Sequence, residues 1–190
     1  MVYGVKHFKH FKHFKPFKHH KLKKHFKHFI MRNYFTSMES PIGRIVLVSN
    51  ETHLKSALFS DGQIGVSETL PGILREAVVQ LKEYFAGNRT GFDLRLDPEG
   101  TAFQKKVWDQ LLKVEYGTTK SYRDIAVELG SALNTRAVGT ANGKNPISII
   151  IPCHRIIGAG GKLVGYAGGL DRKKWLLLHE SQHANNERLF

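Results

Sequence analysis

Between Pro71 and Gly87 the apolar residues Ile73, Leu74, Ala77, Val78, Leu81, Tyr84 and Phe85 recur at three- and four-residue spacing. That is the period of one helical face, opened by a proline whose missing N–H costs nothing at a first turn and closed by a glycine. Residues 33–69 follow a different pattern. Ile42 to Val48 is an apolar, β-branched run, Leu54 to Phe59 is another, and Asp61-Gly62 is a turn signal before Ile64-Gly65-Val66. Short apolar runs divided by turns predict a strand meander. Asn88 to Gly100 reads as a connection holding one short strand, Phe92 to Leu96. Residues 31–100 are thus expected to form a small α/β module, an antiparallel sheet with one helix, and none of them suggests catalytic chemistry.

From Thr101 the helical period dominates. Thr101-x-x-Gln104 is a capping-box pattern, followed by Phe103, Val107 and Leu111 at helical spacing. After Gly117, Ser121-Tyr122-Arg123-Asp124 opens a second helix with Ile125, Ala126 and Leu129 inside and Gly130 as its stop. Asn134 is placed to cap a third, from Thr135 to about Lys144. Two short helices joined by a tight glycine-containing turn form a helix-turn-helix pattern, although helical hairpins without a nucleic-acid role share it. The third helix carries Arg136, Ala137, Gly139, Ala141 and Gly143 as exposed candidates. Each glycine inside a helix costs about 1 kcal/mol. Either another helix packs closely there, or a nucleic-acid backbone approaches a smooth surface from which Arg136 projects.

Beyond Asn145-Pro146 lies the apolar, mostly β-branched run Ile147 to Ile151, then Pro152-Cys153-His154-Arg155 and Ile156-Ile157. A Gly158-Ala159-Gly160-Gly161 turn, a returning strand from Lys162 to Gly165 and a Tyr166-Ala167-Gly168-Gly169 loop come next. A last helix, Asp171 to about Glu180, is expected to turn Trp175 and Leu178 inward. The fold class is therefore an α/β module followed by a mainly α C-terminal domain with a winged-helix-like helix-turn-helix, over residues 101–190.

Charge changes the picture at one end only. The 190 residues carry a formal charge of +13, but residues 1–30 hold nine Lys and no Arg, Asp or Glu, leaving about +4 on the rest. The same 30 residues hold seven of the eleven His and six of the twelve Phe, and begin a His-Phe-Lys repeat at His7. A three-residue period matches neither helix nor strand, so this low-complexity tract is expected to be disordered on its own. It reads as a His-based metal binder, as a polybasic arm on nucleic acid or membrane, or as upstream sequence without evolved purpose before Met31. It has no continuous apolar core of the kind a secretory signal needs. No apolar run is long enough to cross a bilayer. One cysteine excludes an internal disulfide framework and any multi-cysteine zinc or iron–sulfur site held by this chain alone.

A free thiol has a pKa of roughly 8.5 and is mostly protonated near pH 7. A histidine that takes its proton, with a carboxylate behind it, would make Cys153 a nucleophile, and His154 and Glu180 supply those residue types. Cys153 as a small buried hydrophobe is the competing reading, since adjacency in sequence does not establish contact.

The flanking segments carry a resemblance. Ser121-Tyr122, Arg136-Ala137-Val138-Gly139, Asn145-Pro146, Ile151-Pro152-Cys153-His154-Arg155, Tyr166-Ala167-Gly168-Gly169-Leu170 and Lys173 through His179-Glu180 closely resemble the O6-alkylguanine-DNA alkyltransferases, also called methylated-DNA–protein-cysteine methyltransferases. The likeness is strong over residues 101–180 and general in layout over 31–100. It implies direct repair of double-stranded DNA, with an alkyl group moved irreversibly from O6 of a flipped-out guanine, and O4 of thymine as a second candidate, onto Cys153. By the resemblance, His154 is the base acting through a water, Glu180 polarises it, and Asn145 orders the turn carrying the site. Tyr122 contacts the flipped base and assists its protonation, and Arg136 fills the vacated stack. Ala137 and Gly139 belong to the DNA-facing helix, and Arg155 and Tyr166 are grouped with the substrate-contacting residues. The backbone at Cys153 and Ile156 reads the guanine amino group, the Ala167-Gly168 loop approaches O6, and Lys173 supports the site near Glu180.

Some relatives carry serine where this chain has Ala167, and some hold a structural zinc through cysteines that this chain lacks. No metal and no cofactor are expected, and His53 is expected to be a surface residue. A monomer is expected, in the cytoplasm of a prokaryote or the nucleus of a eukaryote. Two other functions compete: a lesion recogniser or helix-turn-helix regulator using Cys153 as a sensor, and a cysteine hydrolase.

Overall fold

The computed structural model describes residues 33–62 and 65–184. The tract 1–30, and Ile64 of the third apolar run, lie outside the described residues. Strands β1 (Tyr34–Met38), β2 (Ile45–Ser49) and β3 (Leu54–Phe59) form an antiparallel sheet in the order β1-β2-β3. On β2 the buried residues Ile45, Leu47 and Ser49 alternate with half-buried ones, as a sheet with one covered face requires. Leu54 and Ala57 of β3 lie three apart and are both fully buried. A register shift at Val48/Ser49 makes this possible, because one extra residue restores the inward face.

Helix α1 (Gly72–Phe85) lies on this sheet with Ile73, Leu74, Ala77, Leu81 and Tyr84 buried, the face expected from their spacing. Gly87 follows it with φ +77°, the left-handed geometry that ends helices. The expected strand at Phe92 to Leu96 is not formed among the described residues. Of Phe92 to Leu96 only Leu96 pairs, in a single bridge to Leu54, because Gln80 holds Asp93 through its side chain in place of a ladder. Gly65 and Val66 carry no strand geometry.

Helix α2 (Ala102–Leu111) begins with the full capping box, Thr101 accepting from the Gln104 N–H and Gln104 accepting from the Thr101 N–H. The short strand β4 (Lys120–Ser121) leads into α3 (Tyr122–Glu128), where Ser121 and Asp124 form a second box. Helix α4 (Thr135–Gly143) packs against α2 and α3. Asn134 does not cap it through its side chain. Ser131 instead caps a tight turn at Ala132–Asn134, and the Thr135 hydroxyl donates to the Ala132 carbonyl. Ala141 is buried rather than exposed, and its carbonyl accepts from the Trp108 indole at 2.9 Å.

Strand β5 (Ile156–Ile157) pairs parallel with β4, and α5 (Leu170–Ala184) closes the fold. Lys162 to Gly165 is not a strand. It is an exposed loop that folds back through one bond, Gly158 N–H to the Lys162 carbonyl at 2.8 Å. Helix α5 turns Lys173, Leu176, His179 and Glu180 inward, while Leu178 is half exposed. The observed architecture is the expected one: a three-stranded antiparallel sheet with a helix, then a mainly helical part containing a helix-turn-helix. The two parts share backbone bonds, because the Ala57 N–H donates to the Pro146 carbonyl at 2.9 Å and the Ala57 carbonyl accepts from the Ser148 N–H at 2.8 Å.

Candidate active site

The segment before the cysteine is bent by one side chain. Asn145, buried, accepts from the Ile147 N–H at 3.0 Å and donates to the Ile151 carbonyl at 2.8 Å. Its amide also lies 3.0 Å from the Cys153 sulfur. Between these anchors Ile149 is forced to φ +72°, a costly conformation for a β-branched residue, and it is paid with full burial. Cys153, His154 and Arg155 then form a tight helical turn rather than a strand, so neighbours in sequence are not sent to opposite faces.

Glu180 gathers five donors. Its Oε1 accepts from His154 Nε2 at 2.7 Å, Tyr84 Oη at 2.8 Å and Arg155 Nη2 at 3.0 Å. Its Oε2 accepts from Arg155 Nε at 2.8 Å and from the Gly117 N–H at 3.1 Å. Gly117 sits at φ +70° against α5, where a Cβ would stand 2.6 Å from that of Ala184. Only glycine brings its N–H this close to the carboxylate. Burial alone pushes the Glu180 carboxyl up, but the hydrogen bonds and charges of His154 and Arg155 outweigh it and hold it well below the usual carboxylate range. An ionised carboxylate only accepts, so the proton of a neutral His154 ring sits on Nε2. Burial lowers the His154 pKa, which keeps the ring neutral. Its Nδ1 is then a lone pair, buried and without a hydrogen-bond partner among the described residues. Burial pushes the Cys153 thiol up to about 11, with Asn145 and Lys173 pulling the other way.

At the start of α3, Tyr122 Oη donates at 3.2 and 3.3 Å toward the carbonyls of Val164 and Gly165. Burial and then the nearby cysteine raise its pKa, so it remains a protonated donor. Lys173 is fully buried and donates to the carbonyls of Ile156, Val164 and Gly165 at 2.5, 2.7 and 3.3 Å. Burial lowers its pKa to about 8. Lys173 therefore ties the loop after the cysteine and does not sit at Glu180, whose donors are already the five named. Arg155, grouped by sequence with substrate-contacting residues, is buried and spent on Glu180 and on the Val114 carbonyl at 2.6 Å. The Ile156 carbonyl accepts from Lys173, and the Cys153 carbonyl from Asn142 at 3.4 Å.

On α4, Arg136 and Ala137 are exposed and Gly139 is half-buried, 3.7 Å from the Tyr122 ring at its Cβ position. Arg136 and Ala137 line a groove with Leu133, which is 95% exposed. Tyr166 is half-buried, and Ala167 is exposed beside half-buried Gly168. His53 is half-buried at the β2–β3 turn, where its ring nitrogen meets the Thr52 hydroxyl. Sequence reasoning missed Tyr84, which a helical pattern marks only as a core residue. It also missed Leu133, whose exposure no spacing announces. Among the described residues no group of three His, Cys, Asp or Glu side chains is placed to hold a metal, and no helix is long and apolar enough to cross a membrane.

Comparison with known proteins places this geometry. Residues 102–182 match the family of the 6-O-methylguanine DNA methyltransferase DNA binding domain, and residues 33–98 that of its ribonuclease-like domain. A methylated-DNA–protein-cysteine methyltransferase of Methanosarcina barkeri is 49% identical over 155 residues, 79% of this chain and 98% of the relative. The crystal structure of the Mycobacterium tuberculosis O6-methylguanine methyltransferase superposes with a TM-score of 0.72 at 45% identity, covering 80% of this chain and 94% of that one. A structure of the M. tuberculosis protein in complex with DNA superposes equally well, at 46% identity over 78% and 93% of the two chains. Matched in both its parts, the chain belongs to the 6-O-methylguanine DNA methyltransferase family.

Proposed function

We propose that this protein repairs double-stranded DNA by moving an alkyl group from O6 of guanine to Cys153, once per molecule. The observation that carries the reading is the buried thiol held by Asn145 beside a neutral histidine whose proton is fixed on Nε2 by Glu180. A water between the Cys153 sulfur and His154 Nδ1 relays the thiol proton to the ring. The imidazolium that forms is stabilised by the Glu180 carboxylate. The thiolate attacks the alkyl carbon, an S–C bond forms, and the C–O6 bond breaks with its electron pair passing to the base. Tyr122 gives guanine a proton, which balances the one His154 has taken. The product is a thioether, with no carbonyl for water to attack and no second cysteine in the chain to accept the group. The protein is consumed, without metal or cofactor.

Reaching O6 requires the base to leave the stack, which costs a few kcal/mol. Arg136, exposed on a helix of small residues, occupies the gap, with Ala137 and Gly139 letting the duplex approach. Tyr122, Tyr166 and the Ala167-Gly168 loop surround the extruded base, and the carbonyls of Cys153 and Ile156 offer it their remaining lone pairs. Residues 33–98 support this site through Tyr84 and the sheet. The protein acts as a monomer in the cytoplasm.

Intact mass after mixing with a duplex carrying one O6-methylguanine tests the reading. A gain of one CH2 unit, mapped to Cys153 and saturating at one per protein, is the expected result. No gain with the duplex still bound would replace it by lesion recognition or sensing. Arg136→Ala is expected to slow transfer from duplex DNA about 10- to 100-fold and to leave transfer from free O6-benzylguanine nearly unchanged, because only the duplex must be opened. Equal losses on both substrates would remove Arg136 from that role.

A further inference from the structure

We propose that Arg172 is a positioning residue that clasps the Tyr166–Gly169 loop to the N-terminal sheet and so limits the size of alkyl group the site admits. The inference rests on the alkyl-transfer reading above. Arg172 lies in the first turn of α5, outside the Glu180 cluster. Its Nη1 donates to the Gly168 carbonyl at 2.9 Å, and its Nε to the Ile42 carbonyl, 130 residues away in sequence, at 2.7 Å. Its guanidinium also lies over the Phe59 ring, 4.8 Å from the centroid. The Asp61 carboxylate stands 3.7 Å away but is 96% exposed, so it adds little.

The surroundings are shaped to this side chain. Gly43 has φ +111°, and a Cβ there would stand 2.9 Å from Arg172 Nη2. A Cβ on Gly168 would meet the Phe59 ring at 3.0 Å and the Tyr166 ring at 2.8 Å. The loop backbone is thus pressed between the sheet and Tyr166, and one planar fork of donors spans both sides. Two glycines, Gly168 and Gly169, give the loop little stiffness of its own, so its place is set by what holds it. Lys173 anchors the preceding carbonyls of Val164 and Gly165, and Arg172 anchors the far side. Tyr122, which contacts the base in the reading above, reaches the same loop at the Val164 and Gly165 carbonyls, at 3.2 and 3.3 Å. The clasped loop therefore bounds the space beside the thiol, and a released loop yields it to a larger group.

The test compares duplexes of one sequence carrying O6-methylguanine or O6-benzylguanine. Rates of transfer to Cys153 are followed by intact mass for the wild type, Arg172→Ala and Arg172→Lys, with thermal midpoints recorded. The benzyl-to-methyl rate ratio is expected to rise about five-fold or more in Arg172→Ala and less in Arg172→Lys, which keeps one carbonyl bond. A ratio that stays constant or falls would overturn the clasp, since a merely structural role slows both groups together. Phe59→Leu removes the ring under the guanidinium, leaves both carbonyl bonds and is expected to raise the ratio too. It serves if Arg172→Ala does not fold. Absence of transfer by the wild type is a separate signature, overturning the alkyl-transfer reading and this inference with it.

Discussion

Cys153→Ala is expected to abolish alkyl transfer and to leave binding to a duplex carrying O6-methylguanine intact. The sulfur belongs to the only thiol in the chain, and attack on a saturated carbon is suited to a thiolate. Binding is expected to survive because the residues proposed to face the duplex, Arg136 and Ala137, are exposed on α4, while the thiol is only 4% exposed. The fold survives as well, since exchanging a thiol for hydrogen removes one atom from the core, at a cost of about 1–2 kcal/mol. Cys153→Ser sharpens the result. A hydroxyl keeps the contact with the Asn145 amide, yet it ionises far less readily than a thiol and is a poor nucleophile toward saturated carbon. It is expected to transfer nothing on the timescale on which the wild type is consumed. Mass spectrometry over time with the methylated duplex, paired with a gel-shift titration, reads both quantities. Alkylation of the alanine variant at any other residue would remove Cys153 from its role.

What the sequence reveals of this site follows from which interactions are local. The capping box at Thr101, the helix start at Ser121, the apolar face of α1 and the Gly130 stop are written within a few residues, and each is found as expected. Contacts across the chain are not written in this way. Tyr84 reaches Glu180 from 96 residues away, and its helical spacing distinguishes it in no way from the leucines beside it. Arg155, within the motif, groups by resemblance with the substrate-contacting residues, and only the fold brings Glu180 and the Val114 carbonyl to it. Lys173 is misplaced for the same reason. It stands seven residues before Glu180, two turns along α5, and its long stem carries the ammonium to the loop carbonyls instead. The expected strand at Lys162 to Gly165 is missing for the same kind of reason: the carbonyls of Val164 and Gly165 are taken by the Lys173 and Tyr122 side chains in place of a ladder.

Glu180→Gln is expected to cost both stability and rate. The carboxylate neutralises Arg155 in a region closed to water, and an amide in its place leaves a buried guanidinium without a counter-charge, a loss of about 3–5 kcal/mol. The glutamine NH2 would also face the N–H and O–H groups of His154, Tyr84, Arg155 and Gly117, all of which donate to the native carboxylate. Donors set against donors leave the His154 proton unfixed, so the base is lost, with a fall in transfer rate of about 10²- to 10⁴-fold. Tyr84→Phe separates the effects. It removes one neutral donor and keeps the charge pair, for about 1 kcal/mol and a small change in rate. The dependence on pH has a definite sign. Because the folded carboxyl titrates below its unfolded value, the unfolded chain takes up the proton first on acidification. The stabilisation is therefore complete above about pH 5 and is lost as pH falls below the ordinary glutamate range of roughly 4.3. Urea denaturation at pH 7, 5 and 3 is expected to show the gap between wild type and Glu180→Gln narrowing as the pH drops. A gap that stays constant with pH would mean that the carboxylate is not held ionised by Arg155 and His154, and the proton relay to Cys153 would have to be drawn without it.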